Sequence, residues 1–337
     1  MLRHAGDRLL LDAVRALPRV NGIEDASTLF EHADGHGVAG VLLDAWRAAG
    51  AELPFAIARH EQLRDAAREC DHAGHIAMLH RIDGAFDAAA VRGVVLKGAL
   101  LAERLYPRPA ARPTTDIDLM VVPTDTARAT EALRQVGYVP CEGVEEDRHR
   151  RFGHHLHLVH SSAPPLELHF HAYRGFGDIL RSEPLIARSV AVHGFARLRV
   201  LAPDDELFYL AVHAAAHRFG RIGWLYDLVL LLRRNGESIV AAACVRARAH
   251  RMERPLALAF ALLASLLDVH PTVRATELSR WRHVLLMHIT DEPRGDVARS
   301  LTRFAYSLAL CNDWGTAGRY AHRAIVDRVG WLPEPHE

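Results

Sequence analysis

The chain has 337 residues, half of them hydrophobic, which is enough for a sizeable core in two domains or in one domain with helical additions. Its 41 basic and 41 acidic residues cancel to a formal net charge of zero, so no surplus of cations is left to neutralise nucleic-acid phosphates and a dedicated duplex-DNA binder is excluded. Cys70, Cys141, Cys244 and Cys311 are scattered without CxxC spacing, which predicts neither a cysteine zinc site nor a disulfide framework and fits a reducing cytoplasm.

From the start to about Ala90 the periodicity is helical, carried by Leu9, Leu10, Val14 and Leu17, then Leu42, Leu43 and Trp46, then Ile76, Leu79 and Ile82. The apolar run near the start is cut by Asp12 and lacks a small-residue cleavage site, which predicts a helix and not a signal peptide. The longest apolar stretch, Leu256 to Leu267, is too short to span a bilayer, so a membrane location is not expected. Gly35-His36-Gly37-Val38-Ala39-Gly40 is a formal GxGxxG. A dinucleotide site needs a strand before it, whereas the helix-like Leu29 to Ala33 precedes it, so the glycines are expected to punctuate two helices.

Arg92 to Pro123 is the most informative stretch. Val94 to Leu96 reads as a strand that delivers Lys97 into a turn at Gly98, and a helix-like run, Ala99 to Tyr106, follows. Lys97 is the only lysine among 41 basic residues, which suggests a position that wants a compact ammonium instead of a planar fork. A loop rich in proline and arginine, including Arg112, leads through Thr115 into Asp116-Ile117-Asp118-Leu119. On a strand, Asp116 and Asp118 share one face while Ile117 and Leu119 enter the core. Two adjacent carboxylates repel, and a divalent cation brought in with a polyphosphate relieves them; their hard oxygens suit magnesium, with manganese as the alternative. A bare DxD is more often an edge strand with two solvated aspartates, but the strand, lysine, glycine, helix and arginine loop ahead of it reverse that weighting.

Thr124 to Gln135 reads as a helix stopped by Gly137. His154 to His160 and Leu166 to Ala172 then alternate on either side of a Ser/Pro turn, which predicts a β-hairpin with Glu167, His169 and His171 on one face. Histidines 149, 154, 155, 157, 160, 169 and 171 crowd this region. A polar sheet face near a site, with one imidazole aiding proton transfer, is favoured over bound zinc.

From Ala202 onward the pattern is helical. Pro203-Asp204-Asp205-Glu206 is a helix start. His213, His217 and Arg221 follow at i, i+4 and i+8 on one predicted helix face, with Asp227 beyond, and three polar groups in a row invite an anionic ligand. HxxxH lacks the adjacent glutamate of a zinc protease, since Ala214 stands there, and no adjacent His-Asp pair supports an HD phosphohydrolase. The alternative for the two histidines is packing between helices. The chain divides on this reading into a helical region at 1–90, a strand-bearing core at 91–201 and a helical domain at 202–337.

The pattern LKGALLAERLY…R…DIDLMV resembles the DNA polymerase β-like nucleotidyltransferase superfamily. More closely it is similar to a bacterial family of uncharacterised nucleotidyltransferases, and more distantly to toxins of the AbiEii/MenA type. The likeness is strongest from Val91 to Asp227. It implies an α+β fold, a small mixed sheet with helices, flanked by helical regions at both ends. It also implies a third carboxylate from a later strand, matched by Glu167 in an ELH sequence. On this resemblance Asp116, Asp118 and Glu167 would be the catalytic metal ligands, Lys97, Gly98, Arg112 and Thr115 would bind the nucleotide, ATP or another NTP, and His169, His213, His217, Arg221 and Asp227 would contact nucleotide or acceptor. The acceptor hydroxyl stays open among protein, peptide, small molecule and RNA end. One departure stands out: the superfamily turn is usually Gly-Gly or Gly-Ser, and here it is Gly98-Ala99. Two other readings remain, transfer of a different group from a nucleotide donor to a peptide, and a non-catalytic nucleotide- or partner-binding module.

Overall fold

The computed structural model describes residues 26–50, 53, 55–141, 153–271 and 296–329. The periodicity at Leu9, Leu10, Val14 and Leu17 falls outside them, as does His149. Helices α1 (Ala26–Gly35) and α2 (Ala39–Ala48) lie on either side of the glycine punctuation, with Gly37 turning the chain at φ +70°. Gly40 lies against the Ala111 backbone so closely that a Cβ would stand 2.6 Å from its carbonyl oxygen. The GxGxxG is thus a helix-helix turn that lets α2 approach the loop leading to the DxD. Helix α3 (Phe55–Ala88) runs 34 residues and buries Met78, Leu79, Ile82 and Phe86 on one stripe near its end.

Strand β1 (Gly93–Val95) and helix α4 (Ala99–Leu105) are joined through Leu96, Lys97 and Gly98, as the sequence predicts. Next come β2 (Ile117–Met120), α5 (Thr126–Gln135), β3 (Val139–Pro140), β4 (His155–Val159) and β5 (Leu166–His169). Then follow β6 (His171–Gly175), β7 (Asp178–Arg181), α6 (Ser182–Arg188), β8 (Val190–Ala191) and β9 (Leu198–Val200). Seven strands form one mixed sheet in the order β3-β4-β5-β2-β1-β9-β8, and β6 and β7 pair separately. The central strand β2 runs antiparallel to β1 and parallel to β5, with Asp118 level with Glu167. Period-2 alternation sends Ile117 and Leu119 into a core shared with Leu156, Leu158, Leu166, Leu168, α3 and α5. Asp118 and Met120 therefore face the other side of the sheet.

That other side is covered by helices. After α7 (Pro203–Ala216) come α8 (Ile222–Asn235), α9 (Ser238–Ala249), α10 (Glu253–Leu267), α11 (Asp296–Leu310) and α12 (Trp314–Val329). One continuous core joins Leu42 and Trp46 of α2 to Met120 of β2, Phe208 of α7, Leu225 and Leu228 of α8 and Leu256 of α10. The acids of the first α7 turn do more than oppose a helix dipole. Asp205 and Glu206 are fully buried, with Asp205 held by Arg188 at 2.8 and 2.9 Å and Glu206 by Arg104 at 3.0 Å. Among the described residues no helix is long and apolar enough to cross a membrane.

Two expectations need correction. The hairpin's second strand ends at His169, and His171 leaves the sheet to begin β6 opposite Arg181, so it does not share the face of Glu167 and His169. Likewise His213, His217 and Arg221 do not lie along one helix. The chain leaves α7 after Ala216, takes left-handed conformations at Arg218 (φ 55°) and Phe219 (φ 52°), and starts α8 just after Arg221. Burial of Phe219, whose N–H donates to the Ala214 carbonyl at 2.7 Å, drives this turn. Aromatic burial at that point outweighs helix propagation.

Candidate active site

Gly98 sets the geometry of the first element. Its φ of +78° is a conformation that favours glycine, and a Cβ there would stand 3.1 Å from Thr114 Cγ2. The turn hands Lys97 to the same side of the sheet as the aspartates. Lys97 Nζ lies 2.5 Å from Asp118 Oδ2 and 3.3 Å from Asp116 Oδ2. Burial opposes its charge, but the two carboxylates prevail and raise its pKa. The lone lysine is therefore wedged between the two acids of the DxD, where a guanidinium fork would not fit as a point charge.

Asp118 is 2% exposed. Burial would raise its pKa, yet Lys97 and then His169 hold it well below the usual carboxylate range. On the next strand, His169 Nε2 stands 3.2 Å from Asp118 Oδ1 and 3.3 Å from Glu167 Oε2, bridging the two carboxylates. Its burial is outweighed by these hydrogen bonds, and the imidazole is pushed up to about 9. Glu167 is lowered against its own burial, chiefly by the hydrogen bond to His169. Donor atoms of Asp118, Glu167 and His169 all lie within 4.8 Å of one another. Asp116 is more open, and Thr115 Oγ1 donates to its Oδ1 at 3.3 Å.

These groups line a cleft of about 510 Å³ between the sheet and the start of the helical layer. Lys97, Gly98, Arg112, Thr115, Asp116, Asp118, Glu167, His169, His213, His217 and Arg221 all border it. Asp227 does not. It is 1% exposed, accepts from Arg112 Nε at 2.9 Å and Nη2 at 2.8 Å, and takes the Tyr106 hydroxyl at 2.7 Å. Asp227 forms a buried clamp on Arg112 and borders a smaller pocket that Arg112, Arg221 and Trp224 also line. Arg112 in turn presents charge at the cleft wall from a fixed position, with Nε and Nη2 committed to Asp227 and Nη1 donating a longer bond to Thr114 Oγ1 at 3.5 Å. Burial is again outweighed, and Asp227 keeps the guanidinium charged by raising its pKa further.

The opposite wall is aromatic. His213 and His217 lie 4.7 Å apart between ring centroids, Trp224 lies 5.5 and 5.2 Å from them, and the Arg221 guanidinium sits 5.7 Å from the Trp224 ring centre. Burial drives the His213 pKa well below its ordinary value, with Lys97 adding to it, and His217 is lowered by the same causes, so both imidazoles are neutral at pH 7. Sequence reasoning missed Tyr209, which also lines the cleft, and named His154, another lining residue, only within the histidine crowd. Tyr209 lies one helical turn before His213, and extending the i, i+4 series backward by one step would have found it.

A sequence profile described as "Uncharacterised nucleotidyltransferase" matches residues 23–268. No curated protein matches the chain. Solved structures similar to it include two of the antibiotic-resistance factor ANT(2'')-Ia, one determined in solution and one a crystal structure in complex with adenylyl-2''-tobramycin. They are 12% and 13% identical, with TM-scores of 0.38 and 0.39, and the alignments cover 52% of this chain and 91% and 98% of theirs. The profile match extends well past the Val91 to Asp227 segment into the helices on both sides, and the chain belongs to this family of nucleotidyltransferases.

Proposed function

We propose that the chain moves an NMP from an NTP, ATP among the candidates, to an acceptor hydroxyl and releases pyrophosphate, using magnesium or manganese. The observation that carries this reading is the register of β2 on β5, which sets Asp118 level with Glu167 while Asp116 lies two residues earlier on the same face. The donor set fits a divalent cation: ligand atoms of Asp118 and Glu167 lie within 4.8 Å of each other, Asp116 borders the same cleft, and the buried Oδ2 of Asp118 has only its ion contact to Lys97, without an aligned hydrogen bond. Asp116, Asp118 and Glu167 would hold the metal, which when bound offsets triphosphate charge and lowers the pKa of the acceptor hydroxyl. Lys97, on a flexible four-carbon stem, can turn from the carboxylates to phosphate oxygens once they are otherwise neutralised. Arg112 and Arg221 add fixed and mobile positive charge at the cleft wall. The Trp224 and His217 rings offer faces on which a base can stack. His169, between Asp118 and Glu167, is placed to take up or return the acceptor proton.

In this reading residues 91–201 are the transfer core, flanked by a helical region at 1–90 and a helical domain at 202–337. A cytoplasmic setting suits the free cysteines among the described residues. The test is incubation with each labelled NTP and magnesium, scoring pyrophosphate release and label on the protein or on added peptides, small molecules and RNA. Asp118→Asn, which removes a metal ligand at nearly constant volume, is expected to abolish release while keeping the far-ultraviolet circular dichroism of the parent. Equal release by mutant and parent would sink the assignment. One observation favours a second reading, a nucleotide-binding module without turnover: Lys97 already neutralises both aspartates, and Ala99 lacks the hydroxyl usual after the turn glycine. Saturable NTP binding with no pyrophosphate from any acceptor would support it.

A further inference from the structure

Two histidine-bearing groups flank Glu167. In the first, His154, His155 and His169 have donor nitrogens within 4.8 Å of one another, but His169 Nε2 is already held between Asp118 and Glu167. In the second, donors of His155, His157 and Glu167 lie within the same distance of one another. Strand β4 carries His155 and His157 two residues apart on one face, and the antiparallel register puts His157 opposite Glu167. All three donors therefore sit on two hydrogen-bonded strands, which hold ligands more tightly than a loop does.

One nitrogen of each ring and one oxygen of Glu167 lie within 4.8 Å of one another, and His157 turns one ring nitrogen to His155 and the other to Glu167. His155 Nε2 meets His157 Nε2 at 2.9 Å, and Glu167 Oε1 lies 3.9 Å from His155 Nε2 and 3.5 Å from His157 Nδ1. With Zn–N bonds of ~2.0–2.1 Å, tetrahedral geometry sets two nitrogen ligands ~3.3 Å apart. Rotation of the exposed His157 ring, so that a single nitrogen faces both His155 and Glu167, is needed to reach that spacing. The Nδ1 of His155 is buried without a hydrogen-bond partner, so no second bond fixes that ring against an accompanying rotation. Two imidazoles with one carboxylate suit zinc and its transition-metal neighbours, whereas magnesium prefers oxygen ligands throughout.

We propose that His155, His157 and Glu167 form a binding site for a zinc-class transition-metal ion at the mouth of the cleft. Three protein ligands leave a fourth position for water or a substrate oxygen, the arrangement of catalytic and not of purely structural zinc sites. His155 and Glu167 both line the cleft, so a ligand at that position shares the cavity with the carboxylate set. Sharing Glu167 is the one link to the transfer reading, and the test below needs no turnover.

Metal-stripped full-length protein, in excess magnesium chloride and without nucleotide, is titrated with zinc chloride by calorimetry and with cobalt(II) followed by its visible absorption. The parent is expected to bind one zinc per chain and to give the cobalt spectrum of a site with nitrogen ligands. His157→Ala, at a partly exposed position, should weaken zinc at least about tenfold, and His157→Asp should recover part of the loss. Asp116→Asn should change zinc affinity less than about twofold. No zinc bound by the parent, unchanged affinity in His157→Ala, or equal loss in His157→Ala and Asp116→Asn would each overturn the proposal. A chain that binds zinc this way but releases no pyrophosphate would sink only the transfer reading.

Discussion

Asp227 separates a structural role from a ligand-contact role more sharply than any other residue. Its carboxylate accepts from two Arg112 nitrogens and from Tyr106, and both charged partners are at most 9% exposed. Asp227→Asn keeps the volume but leaves a buried guanidinium with no hydrogen-bonded counter-charge. Breaking one partner of a buried pair costs about 3–5 kcal/mol. Each kcal/mol shifts the melting temperature of a large domain by about 2 °C or somewhat more, so a fall of roughly 6–10 °C is expected in a thermal scan. Replacing both charges with apolar groups, Arg112→Met with Asp227→Leu, should restore most of that stability, because no uncompensated charge remains. The double variant should still lose transfer activity, since Arg112 also lines the cleft. An Asp227→Asn protein that melts like the parent and instead loses affinity for acceptor would refute this account and return Asp227 to the ligand.

The other expectations concern charge at the cleft. His169 has its pKa raised from 6.5 to about 9 by Asp118 and Glu167. Its stabilising contribution is fully present below about pH 6.5 and is lost as pH rises through about 9, by at most about 3 kcal/mol. In protein stripped of divalent ions, stability by urea unfolding should therefore decline across that window, and His169→Gln should flatten the decline; an unchanged slope in the variant would exclude this histidine as its source. Arg221→Ala should weaken nucleotide or acceptor binding by about 1.5–3 kcal/mol, measured by calorimetry, with little change in melting temperature, because the residue is exposed at the cleft mouth. Normal binding with early melting would mean that Arg221 serves only to hold the turn into α8.

The strand, turn and helix around Lys97 and Gly98, the DxD strand and the pairing of β4 with β5 were legible because each rests on a local signal: alternation, a glycine, an apolar run. The placing of Glu167 beside the acid strand came from the family resemblance, since alternation fixes only its face, and the β2–β5 register that sets it level with Asp118 comes from tertiary pairing. What local signals misjudge is where an element stops. Periodicity carries His171 onto the sheet face, but the backbone N–H groups of Phe170 and His171 both turn to the His154 carbonyl and the strand ends. Periodicity also runs one helix through Arg221, but burying Phe219 requires two left-handed residues.

Partners are harder to read than positions. Being the only lysine marks Lys97 as special in sequence, yet a cation near a presumed polyphosphate site is assigned to the phosphate by default. The fold supplies an earlier claimant, because Gly98 returns the chain beneath Thr114 and brings the ammonium against Asp116 and Asp118. The same holds for Arg112, whose claimant, Asp227, lies 115 residues away in sequence. For Arg112 the neutralising acid is invisible until the helical layer and the sheet are joined, whereas for Lys97 the pairing of β1 with β2 is enough to bring the acids in. The consequence for the chemistry is specific. Arg112 donates two hydrogen bonds to Asp227 within a buried pair and stays where it is, whereas Lys97, which donates to both Asp116 oxygens at 3.3 and 3.4 Å and touches Asp118, would lose those partners to a divalent cation on the same carboxylates. In the proposed transfer, the lysine and not Arg112 would be the cation that exchanges carboxylate for phosphate.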